Sequence, residues 1–310
     1  MITESLTLVT TPDIEQVAVW KVADTNNKDK VSEDINNASA ANIHNISTTQ
    51  NASKNILLLH GAFSDKRIHL GIAHYLAEHG YHCYIMEWRG HGNSPKPKKE
   101  FNLETIALND VAATFDYLFN ELNLPAIHCV THSGGGMCLT MFLLQNKVYI
   151  NKVKSISLFA CQAYGAATTP KAFTKVLLSK TMTLTLGYLP AIKMKLGPIN
   201  ESYYTMKQWF NWNLGRNFHS TDGKFNYRQH MQQMTMPIYA IAATGDDFVA
   251  PPSGCLLYLN DYQNLNNQFR EFGIDNGDLD NYSHSRILMS RNAAKEVWPT
   301  VLAWIEKHNQ

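Results

Sequence analysis

The sequence predicts an α/β protein with a mostly parallel central sheet, helices on both faces and an inserted helical cap. Three observations carry this. Short apolar runs bounded by turn residues alternate with stretches of three- and four-residue apolar spacing, over 55–160 and again over 236–308, and parallel neighbours need such crossover connections. Between these blocks the alternation stops: residues 161–234 are rich in Leu, Met and aromatics and are interrupted by Pro190, Pro198 and several glycines. Finally, 310 residues with 45% hydrophobic and 17% charged side chains have the composition of a globular domain large enough for one core and an insertion.

Taken in order, residues 5–10 and 15–23 ("EQVAVWKVA") are β-branched and apolar and read as opening strands. From Asp24 to Asn55 the chain turns to Asn, Ser and Thr and cannot bury enough surface to offset its ordering entropy, so a long mobile loop is expected there. Its Asn-x-Ser triplets at Asn37, Asn45 and Asn51 fit loop chemistry. "NILLLH" (55–60) reads as a buried strand, "IHLGIAHYLAEHG" (68–80) as a helix closed by glycine, and "YHCYIMEW" (81–88) as the next strand. Leu103, Ile106, Val111, Phe115, Leu118 and Leu122 mark one face of a helix over 103–122. Strand 126–132, helix 137–145 and strand 153–160 follow. After the insertion come strands at 237–245 and 268–274 and a closing amphipathic helix over 292–308. The domain reading is therefore a core of 1–160 and 235–310 with a cap of 161–234.

Composition excludes several functions. A formal net charge of +1 leaves no overall field to steer nucleic acid or anionic membranes. The first twenty residues lack the basic and apolar regions of a signal peptide, and no run approaches the roughly 20 apolar residues of a spanning helix. Five scattered cysteines, without C-x-x-C or Cys/His spacing, fit a reducing compartment and argue against a metal site. The expectation is a cytoplasmic enzyme with no integral membrane association, no nucleic-acid partner and no metal or nucleotide cofactor.

The chemistry is concentrated in "CVTHSGGGMCL" (129–139), where Ser133 stands between an apolar strand and three consecutive glycines. A sharp turn from strand to helix lifts a side chain above the sheet edge, but it strains the backbone and crowds its neighbours. Glycine answers that crowding. It also leaves N–H groups at a helix N-terminus free to face developing negative charge.

This stretch resembles the nucleophile elbow G-x-S-x-G of the α/β-hydrolase family, with Thr131 in place of the first glycine. The resemblance extends to "LLLHGAFSD" (57–65), similar to the family's HG-x oxyanion loop, and to "EWRGHGNSPKP" (87–97), similar to its D-x-R-G-H-G-x-S loop with Glu87 where aspartate is usual. It implies the α/β-hydrolase fold, with Ser133 as nucleophile. Ala62 and Gly134 would be oxyanion donors, with Phe63 a neighbouring candidate, and Phe63 and His132 would lie beside the substrate. Arg89, His91 and Ser94 read as loop architecture. The acid should lie in "TGDDFVAPP", where Asp247 fits the family's aspartate-x-V-x-P spacing and Asp246 is the alternative. His284, alone among 13 histidines in following the last strand and preceding the last helix, is the expected base. Ser285 departs from the glycine often found after that histidine.

A serine nucleophile argues against relatives that use aspartate or cysteine. The expected activity is hydrolysis of a small-molecule carboxylic ester through an acyl-enzyme, with an aminopeptidase-like amidase or an acyltransferase as variants of the same triad. A non-catalytic binding protein on this scaffold would usually lack a triad member. In the cap, Leu177, Leu178, Met182, Met194, Trp209, Phe210 and Trp212 are candidates for an apolar acyl pocket, and lysines 171, 175, 180, 193, 195 and 207 for its solvated face.

Overall fold

The computed structural model describes residues 1–25 and 54–309. The Asn-rich segment expected to be a mobile loop, with its three triplets, lies almost wholly outside the described residues. Eight strands form one sheet: β1 (Ile2–Thr10), β2 (Gln16–Asp24), β3 (Asn55–Leu59), β4 (His82–Glu87), β5 (Ile127–His132), β6 (Val153–Phe159), β9 (Ile238–Ala243) and β10 (Gln268–Phe272). Their spatial order is β1-β2-β4-β3-β5-β6-β9-β10. From β4 to β10 every pairing is parallel, whereas β1 pairs β2 and β2 pairs β4 antiparallel.

Burial follows from that order. Every residue of β3, β5 and β9 is buried, because central parallel strands are covered on both faces and so read as continuous apolar runs. The edge strand β1 buries only Val9. Helices α1 (Arg67–Glu78), α2 (a continuous helical stretch over 103–121), α3 (Gly134–Gln145) and the closing helix α7 (Arg291–Lys307) cover the sheet. The core accordingly splits into two clusters. One contains Ile106, Phe115, Leu139 and Phe142; the other contains Ile72, Leu76, Val297 and Val301.

Helix α2 departs from regular winding. Ile106–Val111 and Tyr117–Glu121 adopt the wider π turn, with a regular α segment at Ala112–Asp116 between them. A further helix, α6 (Pro252–Asn260), was not legible in "PPSGCLLYLN". Its Pro-Pro-Ser-Gly start carries turn signals, yet proline suits the first helical turn. Gly254 is required by contact, since a Cβ there would lie 2.9 Å from the O of the facing Gly165.

The chain between β6 and β9 is inserted into the sheet. It holds helix α4 (Pro170–Leu186), helix α5 (Tyr203–Gly215), and a two-residue ladder of β7 (Tyr188–Leu189) with β8 (Glu201–Ser202). Thr169 caps α4 by accepting from Ala172 N–H at 3.2 Å, Pro170 opens it, and Gly187 closes it at φ 77°. The segment is fastened by Asn213, whose side chain donates to Ala163 O at 2.9 Å and accepts from Ala166 N–H at 2.7 Å.

Candidate active site

Ser133 occupies the turn between β5 and α3 at φ 51° and ψ −121°. Such a conformation costs a non-glycine residue about 1–3 kcal/mol and persists only where the surroundings enforce it. The glycines show how. A Cβ on Gly135 would lie 2.3 Å from Leu59 O, so α3 can start against the end of β3 only if that position is bare. A Cβ on Gly136 would meet Cys161 Sγ at 2.6 Å and Thr131 Oγ1 at 2.8 Å. Gly136 therefore leaves the space that Thr131 fills, which explains how this elbow tolerates threonine. From the facing loop, a Cβ on Gly61 would come within 2.7 Å of Ser133 Cβ.

His284 lies in the loop after β10. Its Nδ1 is 2.5 Å from Asp246 Oδ2, and both side chains are buried. The loop contact depends on Gly245, where a Cβ would sit 2.0 Å from Asn281 O. The carboxylate that faces His284 is thus Asp246, not Asp247 as expected. The reason is local: Asp246 Oδ1 accepts the N–H groups of Val249 at 3.1 Å and Ala250 at 3.2 Å, which turns the carboxylate inward. Asp247 points outward, with its side chain 83% exposed and 3.8 Å from Lys175. The signal that could have separated them is this side-chain-capped turn, in which the carboxylate precedes its donors by three and four residues.

The charge state of the pair follows from its surroundings. Burial raises the Asp246 pKa, but the His284 charge and hydrogen bond and the two backbone donors outweigh it, and the net shift is downward. An ionised Asp246 only accepts, so the hydrogen on the bond belongs to His284 Nδ1. In the neutral ring Nε2 then carries the lone pair. That atom is buried and has no hydrogen-bond partner among the described residues.

His132 was expected beside the substrate, and its position corrects this. It is 2% exposed and does not line the cleft; its Nε2 donates to His284 O at 2.8 Å, and the two rings stand 4.7 Å apart. Burial, and then the neighbouring His284, hold its pKa well below the usual histidine value, so it is neutral with one hydrogen to give. It braces the histidine loop against the elbow.

Ala62, Phe63, Ser133 and Gly134 line one apolar cleft together with Leu103, Met137, Leu196, Met206, Trp209, Phe210, Phe248 and Val249. The cleft encloses about 490 Å³ of empty space, solvent at its mouth included, but the centre of a water-sized sphere fits in only about 30 Å³ of it. It is a narrow slot. Of the expected pocket residues, Trp209 and Phe210 line it; Leu177 and Leu178 are exposed instead, and Trp212 borders a separate polar groove.

Phe63 lines the slot at φ 68°, but its N–H donates to Glu201 Oε1 at 3.0 Å. That leaves Ala62 and Gly134 as the donor pair to weigh: Ala62 N is 3.5 Å from the place a Cβ on Gly134 would take, and Gly134, opening α3, has no intrahelical acceptor for its N–H. Glu201, unnoticed in the sequence, also holds His91. Arg89 pairs with Asp13 and Asp110, and Ser94 Oγ donates to Glu87 O at 2.6 Å while accepting from Ala18 N–H at 2.8 Å. Among the described residues no group of three or more His, Cys, Asp or Glu side chains is placed to hold a metal ion.

Comparison with known proteins agrees with this fold. A family model described as the alpha/beta hydrolase fold matches residues 54–184. The chain has the α/β-hydrolase fold. Among solved structures, an esterase from Exiguobacterium antarcticum is similar over 97% of this chain and 99% of its own, with TM-score 0.63 and 13% identity. An esterase from Thermogutta terrifontis matches over 99% and 100% at TM-score 0.60 and 14% identity. The mouse alpha/beta hydrolase domain-containing protein 10 matches over 98% and 99% at TM-score 0.63 and 13% identity. No curated protein matches the sequence. No helix among the described residues is long and apolar enough to cross a membrane.

Proposed function

We propose that this α/β-hydrolase is a serine esterase that cleaves small carboxylic esters with an apolar acyl group. The observation that carries the reading is one juxtaposition: a strained serine at the elbow, and against that elbow a buried His284–Asp246 pair whose outer nitrogen lacks a partner. In this reading His284 Nε2 takes the hydroxyl proton as Ser133 Oγ attacks the carbonyl carbon. The N–H groups of Ala62 and Gly134 hold the oxyanion, and the protonated His284, steadied by Asp246, returns the proton to the leaving alkoxide. Water then attacks the acyl-enzyme with His284 again as base, releasing the acid and restoring Ser133.

The narrow apolar slot supports a slender acyl chain rather than a bulky or charged one. Residues 161–234 act as the cap over a core formed by 1–160 and 235–310. The five cysteines are all unpaired and buried, which suits a cytoplasmic enzyme.

A fluorophosphonate probe tests this directly. Ser133 is expected to become covalently labelled, and Ser133→Ala to abolish both labelling and turnover of an activated ester. Loss of the base or of one oxyanion donor should cost on the order of 100-fold or more. Folded protein that stays unlabelled, or esterase activity that survives Ser133→Ala, refutes the assignment.

A further inference from the structure

Helix α4 carries Phe173, Val176, Leu177, Leu178, Met182, Leu184 and Leu186 among lysines, serine and threonines, enough large apolar side chains to cover a substantial contact. Yet it buries only Val176 and Thr183. Phe173, Leu177, Leu178, Leu184 and Leu186 stand between 39% and 65% exposed. Phe173, Leu177 and Leu184, spaced by four and seven residues, share one stripe. Just beyond the helix, Ile192 at 56% and Met194 at 36% add to the apolar surface. Soluble monomers rarely expose this much contiguous apolar side chain without a partner.

Charge names the partner. Residues 161–234 carry nine Lys and Arg against two acids, of which Glu201 is buried; the rest of the chain carries eighteen against twenty-four. The near-neutral total thus hides a basic segment, of which Lys175 and Arg228 lie beside the acids Asp247 and Asp261 outside it. Lys171 and Lys175 stand on α4 itself, and Lys193 and Lys195 flank Met194.

We propose that α4 and residues 192–195 dock on an anionic phospholipid surface, apolar side chains entering the headgroup boundary while the lysines meet phosphates. A second copy of the chain fits less well, because a two-fold contact places the patch on itself and sets lysine against lysine. Ser179, on the same helix, lines the cleft, so docking would hold the slot beside the lipid. The proposal stands whether or not Ser133 is a nucleophile.

The test is co-sedimentation of the full chain with phosphatidylcholine vesicles, with and without phosphatidylglycerol, at low and high salt. Binding is expected with phosphatidylglycerol and should weaken as salt rises. Leu177→Glu with Leu184→Glu should lower it roughly tenfold or more. Lys171→Gln, Lys193→Gln and Lys195→Gln together should lower it roughly a hundredfold at low salt. Leu265→Ser, at a fully exposed position outside α4 and residues 192–195, should change nothing. All these positions are exposed, and thermal melting confirms that each variant is folded. The proposal is overturned if the protein stays in solution with phosphatidylglycerol vesicles, if the leucine variant binds as well as wild type, or if light scattering finds a dimer that the same variant dissociates.

Discussion

His91 Nε2 lies 2.7 Å from Glu201 Oε1, joining two buried side chains 110 positions apart in the chain. His91 Nδ1 is 3.1 Å from Arg89 O. A carbonyl and a carboxylate only accept, so both ring nitrogens carry hydrogen and the ring is a cation. Burial alone would lower the His91 pKa, but Glu201 more than reverses this and raises it. Because Glu201 also takes the Phe63 N–H, one carboxylate ties the segment between β6 and β9 to the loop that follows β3.

Removing that carboxylate leaves a buried imidazolium unpaired. Glu201→Ala should cost about 3–5 kcal/mol, read by urea unfolding. The sign of the pH effect follows from the raised histidine. Its contribution is whole below the unfolded value of about 6.5 and is lost as pH rises through the folded one. The stability gap between wild type and His91→Gln should therefore narrow as pH increases.

The two adjacent aspartates should separate cleanly in kinetics. Asp246→Asn removes the acceptor that orients His284 and should lower kcat/KM on an activated ester by about 10⁴. Asp247→Asn changes an exposed side chain and should stay within a few-fold of wild type.

Crowding at the elbow predicts a ranking. In Gly135→Ala the new methyl meets backbone carbonyls, which cannot step aside, so a loss above about 3 kcal/mol or failure to fold is expected. In Gly134→Ala it meets first the tip of the Trp88 ring, which can shift, and the variant should fold with a smaller loss. Soluble yield and urea midpoints give the comparison.

Acid should destabilise the protein well before its carboxylates titrate. Burial holds His60, His69 and His132 below the usual histidine value, His69 at about 4. The unfolded chain binds those protons first, so stability falls as pH drops below about 6.5, with His69 alone contributing on the order of 3 kcal/mol by pH 4. The lowered Asp246 adds a further loss below about pH 4, as its carboxylate protonates. Melting temperature measured from pH 7 to 4 should decline throughout, against the opposing trend of His91.

Narrowing the slot should change chain-length preference. Leu196→Trp adds bulk to its lining and should raise KM for longer acyl esters about tenfold while leaving the shortest nearly unchanged. A panel of esters of graded acyl length reads this out.

Much of the core was legible because strands such as "NILLLH" and "AIHCVTH" are buried on both faces and carry their burial as continuous apolar runs. Helix α6 was hidden because its first residues are also turn residues. The elbow could be read from three glycines that serve no ordinary helix, and His284 from its place in chain order. Asp246 could not be preferred over Asp247, because both share a loop and differ only in which way the carboxylate turns.

The sequence by itself determined the alternation of strand and helix, the strained serine turn and the place of His284 after the last strand, since each is encoded in local periodicity, in residues that local sterics require or in chain order. Tertiary structure alone decided which aspartate faces His284, that His132 braces that loop rather than touching the cleft, and that Glu201 joins the segment between β6 and β9 to Phe63. Those outcomes depend on side chains far apart in the chain meeting in a dry interior, where an unpaired polar atom is costly and only the packed fold settles which partner it finds.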